Sequence, residues 1–221
     1  QRLYQYCREK HEKIWDDLRK YLKDRRKLEF PVKGEKSFNI RHLRRNTGLM
    51  RSYKKMVKIL FVCHGNICRS TMSQSVFTYL IRQAGLEDCF EIDSAATSRE
   101  EIGNPPHYGT RNKLRQVQIP LIAHHARQMT RQDYENFDFL IGMDSANIRN
   151  MTRIVGGDEE HKIYKMLSFA DYEKTHQLSA ARDVADPWYT GDFEATWKDV
   201  TEGCQGLLQY ILEENGKASK K

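Results

Sequence analysis

An apolar, largely β-branched run at residues 57–62 (Val-Lys-Ile-Leu-Phe-Val) changes the pattern of the chain. It is the signature of a parallel strand buried on both faces. Beyond a short loop, residues 71–84 show helical spacing through Met72, Val76, Phe77, Leu80 and Ile81. Two further runs, 90–93 and 137–141, predict strands. Residues 108–116, 131–136, 145–152 and 193–213 predict helices. Strands alternating with helices imply an α/β domain, a three-layer arrangement of a parallel sheet with helices on both faces, over residues 56–217. A Lys-rich tail follows at 218–221.

The pattern before residue 56 is different. Residues 3–27 carry an apolar stripe of Leu3, Cys7, Ile14, Leu18, Tyr21 and Leu22, predicting an amphipathic helix. Leu28, Phe30 and Val32 then alternate with polar residues, as in a short extended segment or hairpin. Residues 41–55 are crowded with Arg and Lys. Residues 1–55 thus read as a basic, mainly helical N-terminal extension.

Charge sharpens that boundary. The chain has 221 residues and a formal charge of +7, yet residues 1–56 hold 18 Lys/Arg against 7 Asp/Glu, leaving 19 against 23 for residues 57–221. The extension either meets an acidic partner, nucleic acid or anionic lipid, or is a solvated helical face. Hydrophobic content of 39% suits a folded core. No apolar run is long enough to predict a membrane span, and no secretory leader pattern is visible. Cys7, Cys63, Cys68, Cys89 and Cys204 form an odd set without a disulfide framework or structural zinc spacing. A reducing, cytoplasmic compartment is expected.

The candidate chemistry lies just after the first strand, at Cys63-His64-Gly65-Asn66-Ile67-Cys68-Arg69-Ser70-Thr71. With five Cys and 19 Arg in the chain, a Cys-x5-Arg match is weak evidence alone; its setting between strand and helix carries the weight. A loop curling there aims backbone N–H groups and a helix N-terminus at an anion. Gly65 and Asn66 tolerate the positive φ of such a curl. The same field favours a thiolate at Cys63, the nucleophilic form, and Arg69 offers a planar fork for two phosphoryl oxygens. Ser70 is placed to donate to the sulfur. An expelled phenolate needs a proton, and Asp186-Pro187 is a loop-forming dipeptide able to present an acid; the alternative is a helix N-terminal turn.

These residues resemble the phosphate loop of the low-molecular-weight protein tyrosine phosphatases, departing at His64, usually apolar or small, and Thr71, commonly Pro. The resemblance continues through Asp93-Ser94-Ala95-Ala96-Thr97-Ser98, Ile102-Gly103-Asn104-Pro105-Pro106, His125-Ala126-Arg127-Gln128, Met143-Asp144 and Asp186-Pro187-Trp188-Tyr189, covering residues 56–213 in the family's order. Residues 1–55 have no counterpart there. The resemblance implies hydrolysis of phosphotyrosine-containing proteins or peptides through a phosphocysteine on Cys63, releasing inorganic phosphate without metal or cofactor. Arg69 is then the phosphate clamp, Asp186 the general acid and base, and residues 64–70 (His64, Gly65, Asn66, Ile67, Cys68, Arg69, Ser70) the phosphate cradle. Ser94, Asp144 and one of His124 or His125, with His124 favoured, are its supports. Trp188 and Tyr189 line the substrate wall. Where the family often has an aromatic residue after Ser98, Arg99-Glu100-Glu101 stands, making Glu100 part of a charged wall that suits basic flanking residues. A reversible Cys63–Cys68 disulfide is a further expectation.

Three other readings compete. A thioredoxin-coupled arsenate reductase needs a downstream cysteine pair, and Cys89 and Cys204 lie far apart. A protein arginine phosphatase typically has Thr where Ile67 stands and lacks the aromatic pair after Asp-Pro. A non-enzymatic basic binding protein leaves the complete Cys63, Arg69 and Asp186 set without a purpose.

Overall fold

A computed structural model describes residues 56–170, 172, 176–178 and 182–218. The expectations for residues 1–55 and for the 219–221 part of the tail lie outside the described residues. The first strand, β1 (Val57–Cys63), is followed by helix α1 (Arg69–Gln83), a 3-10 turn (Glu87–Cys89) and β2 (Phe90–Ala96). Next come α2 (Tyr108–Gln116), α3 (Arg131–Asn136), β3 (Phe139–Gly142) and α4 (Ser145–Val155). Strand β4 (Ile163–Lys165), a 3-10 turn (Met166–Phe169), α5 (Pro187–Thr190) and α6 (Phe193–Ala218) complete the order.

The strands form one parallel sheet in the order β2-β1-β3-β4. β1 pairs along its whole length with β2, from Val57 opposite Phe90 to Cys63 opposite Ala96. The chain therefore adds β2 on one side of β1 and then crosses to place β3 on the other. That reversal opens a crevice beyond the carboxyl end of β1, where open α/β sheets bind ligands.

Both sheet faces are covered, as the unbroken apolar run of β1 requires. Ile59, Phe61 and Cys63 point to one side, with Val76 and Phe77 of α1 and Trp197, Val200, Leu207 and Ile211 of α6. Leu60 and Val62 point to the other, against Phe137, Leu140 and the α4 residues Met151 and Val155. Helix α6 lies close to the chain after β4: a Cβ at Gly206 would come within 1.7 Å of the Phe169 carbonyl oxygen. It continues through residue 218, past the expected boundary at 217. The sheet also contains β4, which periodicity did not predict, and α1 begins at Arg69, inside the expected loop.

Candidate active site

Residues 63–70 leave β1, curl, and enter α1, whose N-cap position, Cys68, supplies no side-chain cap. A helix N-terminus leaves its first amides without intrahelical partners, an arrangement that attracts anions, and Cys68 and Arg69 at this end line the cavity. Of the two residues expected to take positive φ, Asn66 does so (φ 59°). Gly65 is needed for room instead: a Cβ there would meet Glu101 Cγ at 3.0 Å.

Asn66, fully buried, organises the curl. Its Oδ1 accepts from the Arg127 backbone N–H (3.1 Å), which fixes the orientation of the amide. Nδ2 is then the donor, reaching Ser70 Oγ and Ser94 Oγ at 2.9 Å each. The Ser94 hydroxyl in turn donates to Gln74 Oε1 (2.8 Å). With Ser70 Oγ accepting from Asn66, its O–H is available to Cys63 Sγ, 3.1 Å away. The Asn66 backbone N–H donates to the same sulfur at 3.3 Å. Two donors thus converge on Sγ.

His124, the favoured member of its pair, donates from Nε2 to Asn66 Oδ1 at 2.7 Å; His125 is exposed. Burial pushes the His124 pKa down, outweighing the nearby Asp93 carboxylate, so the neutral ring is the form that fits here. Two further supports come from α2 and its N-cap: the His107 backbone N–H donates to Ile67 O (2.8 Å), and Thr110 Oγ1 lies 3.4 Å from Cys68 O.

Arg69 is nearly inaccessible, at 3% exposure. Its Nη1 donates to Asp144 Oδ2, and its Nη2 forms an ion pair with Asp186 Oδ2, both at 2.6 Å. Burial alone would lower its pKa, but the Cys63 sulfur and the two carboxylates override this and raise it, so the guanidinium stays charged. Asp144 also caps α4, accepting from Asn147 N–H through Oδ1 at 2.6 Å. One carboxylate therefore ties a helix end to the guanidinium.

Asp186 precedes the short α5 and not the long α6. It is a loop residue beside the crevice, and its Oδ1 accepts from Trp188 N–H (3.1 Å) as N-cap of α5, with Pro187 at N1. Its other oxygen faces Arg69. Trp188 and Tyr189, 59% and 84% exposed, stand at the mouth with little protein against them. Glu100 Oε2 lies 2.9 Å from His64 Nε2. Cys63, His64, Gly65, Ile67, Cys68, Arg69, Glu100, Glu101, Asp186, Trp188 and Tyr189 line one cavity of about 110 Å³.

Sequence reasoning did not single out His107 or Arg127, and Glu101, which lines the cavity, was named only within the charged Arg99-Glu100-Glu101 stretch. His107 stacks on Phe193 (5.4 Å between centroids, 5° between planes) and lies edge-on to Trp188. Its position after Pro105-Pro106 and before a helix was the available signal. Arg127 bridges Asp93 and Asp133 while its backbone holds Asn66; it lies inside a motif quoted above without a role. Cys68 is buried, and desolvation, with the negative groups at Cys63 and Asp186, pushes its pKa up to about 12.

The family model described as low molecular weight phosphotyrosine protein phosphatase matches residues 58–218. The low molecular weight protein-tyrosine-phosphatase YfkJ of Bacillus subtilis is 40% identical over 159 residues, covering 72% of this chain and 98% of that protein. The human low molecular weight phosphotyrosine protein phosphatase is 35% identical over 153 residues, covering 68% and 93%. Among solved structures, YfkJ superposes with a TM-score of 0.67 at 39% identity, over 74% of this chain and 99% of that one. A Drosophila arginine phosphatase superposes at 0.60 with 25% identity, over 70% and 98%.

Proposed function

The chain belongs to the low molecular weight phosphotyrosine protein phosphatase family, and from that premise we propose that it hydrolyses phosphotyrosine in proteins or peptides through a phosphocysteine on Cys63. The observation that carries this reading is the convergence of the Cys63 sulfur, the Arg69 guanidinium and the Asp186 carboxyl on one small cavity.

The cycle has two steps. Cys63 Sγ attacks phosphorus in line, forming an S–P bond as the P–O bond to the phenol breaks, and Asp186 gives its proton to the departing oxygen. Water then attacks the phosphocysteine, Asp186 takes its proton, and inorganic phosphate leaves with the thiolate restored. The Arg69 donors now facing Asp186 and the loop amides would take the phosphoryl oxygens, freeing Asp186 to turn toward the leaving group. Rate enhancement then comes from placement and pre-aimed dipoles. The Ser70 hydroxyl supports sulfur as nucleophile in the first step and as leaving group in the second. The aryl ring would lie between the exposed Trp188 and Tyr189 on one side and Ile67 and the His64–Glu100 pair on the other.

A reducing compartment keeps nucleophilic thiols in their active form. The free Cys63, Cys68, Cys89 and Cys204 among the described residues support a cytoplasmic setting, and among those residues no helix is long and apolar enough to cross a membrane. The basic extension would engage an acidic partner. The deciding experiment is turnover of p-nitrophenyl phosphate and phosphotyrosine peptides by wild type and Cys63→Ser, with phosphoarginine as competitor. Tyrosine-selective turnover that vanishes in the variant is expected. Turnover retained in Cys63→Ser would remove the mechanism, and preferred phosphoarginine would reassign the substrate.

A further inference from the structure

We propose that Asp199 and Thr196 of α6 form a clamp on the residue preceding Asp186, and so act as positioning residues for protonation of the leaving group. The inference rests on the phosphatase reading of the Cys63–Arg69–Asp186 site.

The two residues are three apart on one helix and present the same face. Asp199 Oδ2 accepts from the Ala185 backbone N–H at 2.9 Å. Thr196 Oγ1 donates to the Ala185 carbonyl at 2.8 Å, the nearer of two acceptors, the other being the Asp192 carbonyl one turn back at 3.1 Å. The Ala185 carbonyl belongs to the peptide unit leading into Asp186, so its direction sets the plane from which the Asp186 side chain departs. The second Asp199 oxygen accepts from Arg182 Nη1 at 2.5 Å, and Val184 N–H donates to Met143 O at 2.9 Å. The segment is therefore held on both edges until the residue before the acid. Beyond it, the α5 cap holds Asp186 Oδ1.

Neither clamp residue lines the cavity. Thr196 is fully buried and Asp199 is 7% exposed, so they meet no solvent task. What they share is α6, which also packs against α1, the helix whose first residue is Arg69. One element thus references both the phosphate clamp and the proton donor, whose relative placement the first chemical step needs. General acid catalysis is sensitive to such placement because the proton must lie within hydrogen-bond reach of the leaving oxygen.

A merely structural staple would lower activity without regard to substrate; a positioning clamp would not. The test is kcat/KM, which reports the first step, for a series of aryl phosphates from 2,4-dinitrophenyl to phenyl phosphate. The full-length chain carries Asp199→Asn or Thr196→Val, with Asp186→Ala as the limiting case. Asn at 199 must turn its NH2 toward either Ala185 N–H or Arg182, two donors facing each other, so one bond is lost. Val at 196 keeps the shape and loses the O–H. A correctly placed acid contributes roughly 10²–10⁴-fold, so partial misplacement should cost about 10-fold on phenyl phosphate and far less on the dinitrophenyl ester. The leaving-group dependence of both variants should lie between wild type and Asp186→Ala, with inhibition by inorganic phosphate unchanged. Equal losses across the series, or none, would overturn the clamp. Should Asp199→Asn fail to fold, the isosteric Thr196→Val decides. A wild-type chain that turns over none of these esters would instead sink the phosphatase reading, and the clamp with it.

Discussion

Asn66 is a small side chain with an unusually long list of obligations: it bonds Ser70, Ser94, His124 and Arg127 while its own backbone sits at φ 59°. Replacing it by Ala leaves the backbone strain and removes the bonds that offset it. Misplacing catalytic groups by about 1 Å can cost ~10²-fold, so Asn66→Ala should lower kcat/KM for p-nitrophenyl phosphate by about that factor. An unchanged value would show that the curl holds without its hub. His124 yields a pH prediction. Its folded pKa lies below the unfolded value of about 6.5, so below that value the unfolded chain binds the proton more readily and folding stability falls as pH drops. His124→Gln, which keeps a donor for Asn66 but cannot titrate, should flatten the fall in Tm between neutral and mildly acidic pH. Cysteine reactivity divides at the same scale. Cys68, held protonated by burial, should resist iodoacetamide while Cys63, with two donors on its sulfur, is alkylated. Equal labelling at neutral pH would contradict that assignment. The convergence of Cys63, Arg69 and Asp186 on one cavity was legible because the Cys-x5-Arg spacing falls between a strand and a helix and Asp186-Pro187 is a loop-forming dipeptide. Arg127 was not, since its backbone N–H does the work and any residue supplies one. The choice between His124 and His125 turned on a register that spacing alone leaves open by one position.

Elements repeat this division between local and long-range information. β1 and α1 follow from an apolar run and a helical stripe, patterns that need no neighbour to read. β4 has three residues, none of them buried, and is organised from outside: Asp158 accepts from Lys162 and Ile163 N–H while also bonding Tyr134. No periodicity announces such a strand. α5 is a single turn started by the Asp186 cap and ended by Gly191 at φ 69°, so a sequence reading sees only a loop. The long α6 was visible, but its role as a shared reference for both halves of the site was not, because Gly206, Thr196 and Asp199 look ordinary in a helical pattern. Gly206 gives the element-scale test. A Cβ within 1.7 Å of a backbone oxygen cannot be relieved by a rotamer change, so Gly206→Ala must shift α6 or the Met166–Phe169 turn. Overpacking of this kind costs roughly 1–3 kcal/mol or more, and thermal unfolding should show a lower Tm. Because α6 also holds the Asp186 approach, activity toward poor leaving groups should fall with it.

Charge acts over the whole molecule. Residues 57–221 carry 23 Asp/Glu against 19 Lys/Arg while residues 1–56 are strongly basic, and the cavity lining includes Glu100 and Glu101. A doubly negative phosphoryl group must approach past that rim, so attraction at the loop amides and Arg69 has to be short-ranged, and the rim itself repels acidic neighbours of the phosphotyrosine. Glu101 is partly engaged by Asn104 Nδ2 at 2.7 Å and Glu100 by His64, yet the Glu100 side chain keeps 71% exposure and is available to a substrate Lys or Arg. Exposed charges interact weakly and are screened within about 8 Å at physiological ionic strength and ~3 Å at 1 M salt. The effect should therefore appear as selectivity: kcat/KM for a phosphotyrosine peptide with Lys or Arg beside the phosphotyrosine should exceed that for its Asp/Glu counterpart by several-fold, roughly 1 kcal/mol of difference. The ratio should shrink toward one in 1 M salt, and Glu100→Gln should compress it at low salt. A ratio that ignored both salt and Glu100 would mean that the rim's charge plays no part in choosing the substrate, leaving the aromatic wall to do so by shape.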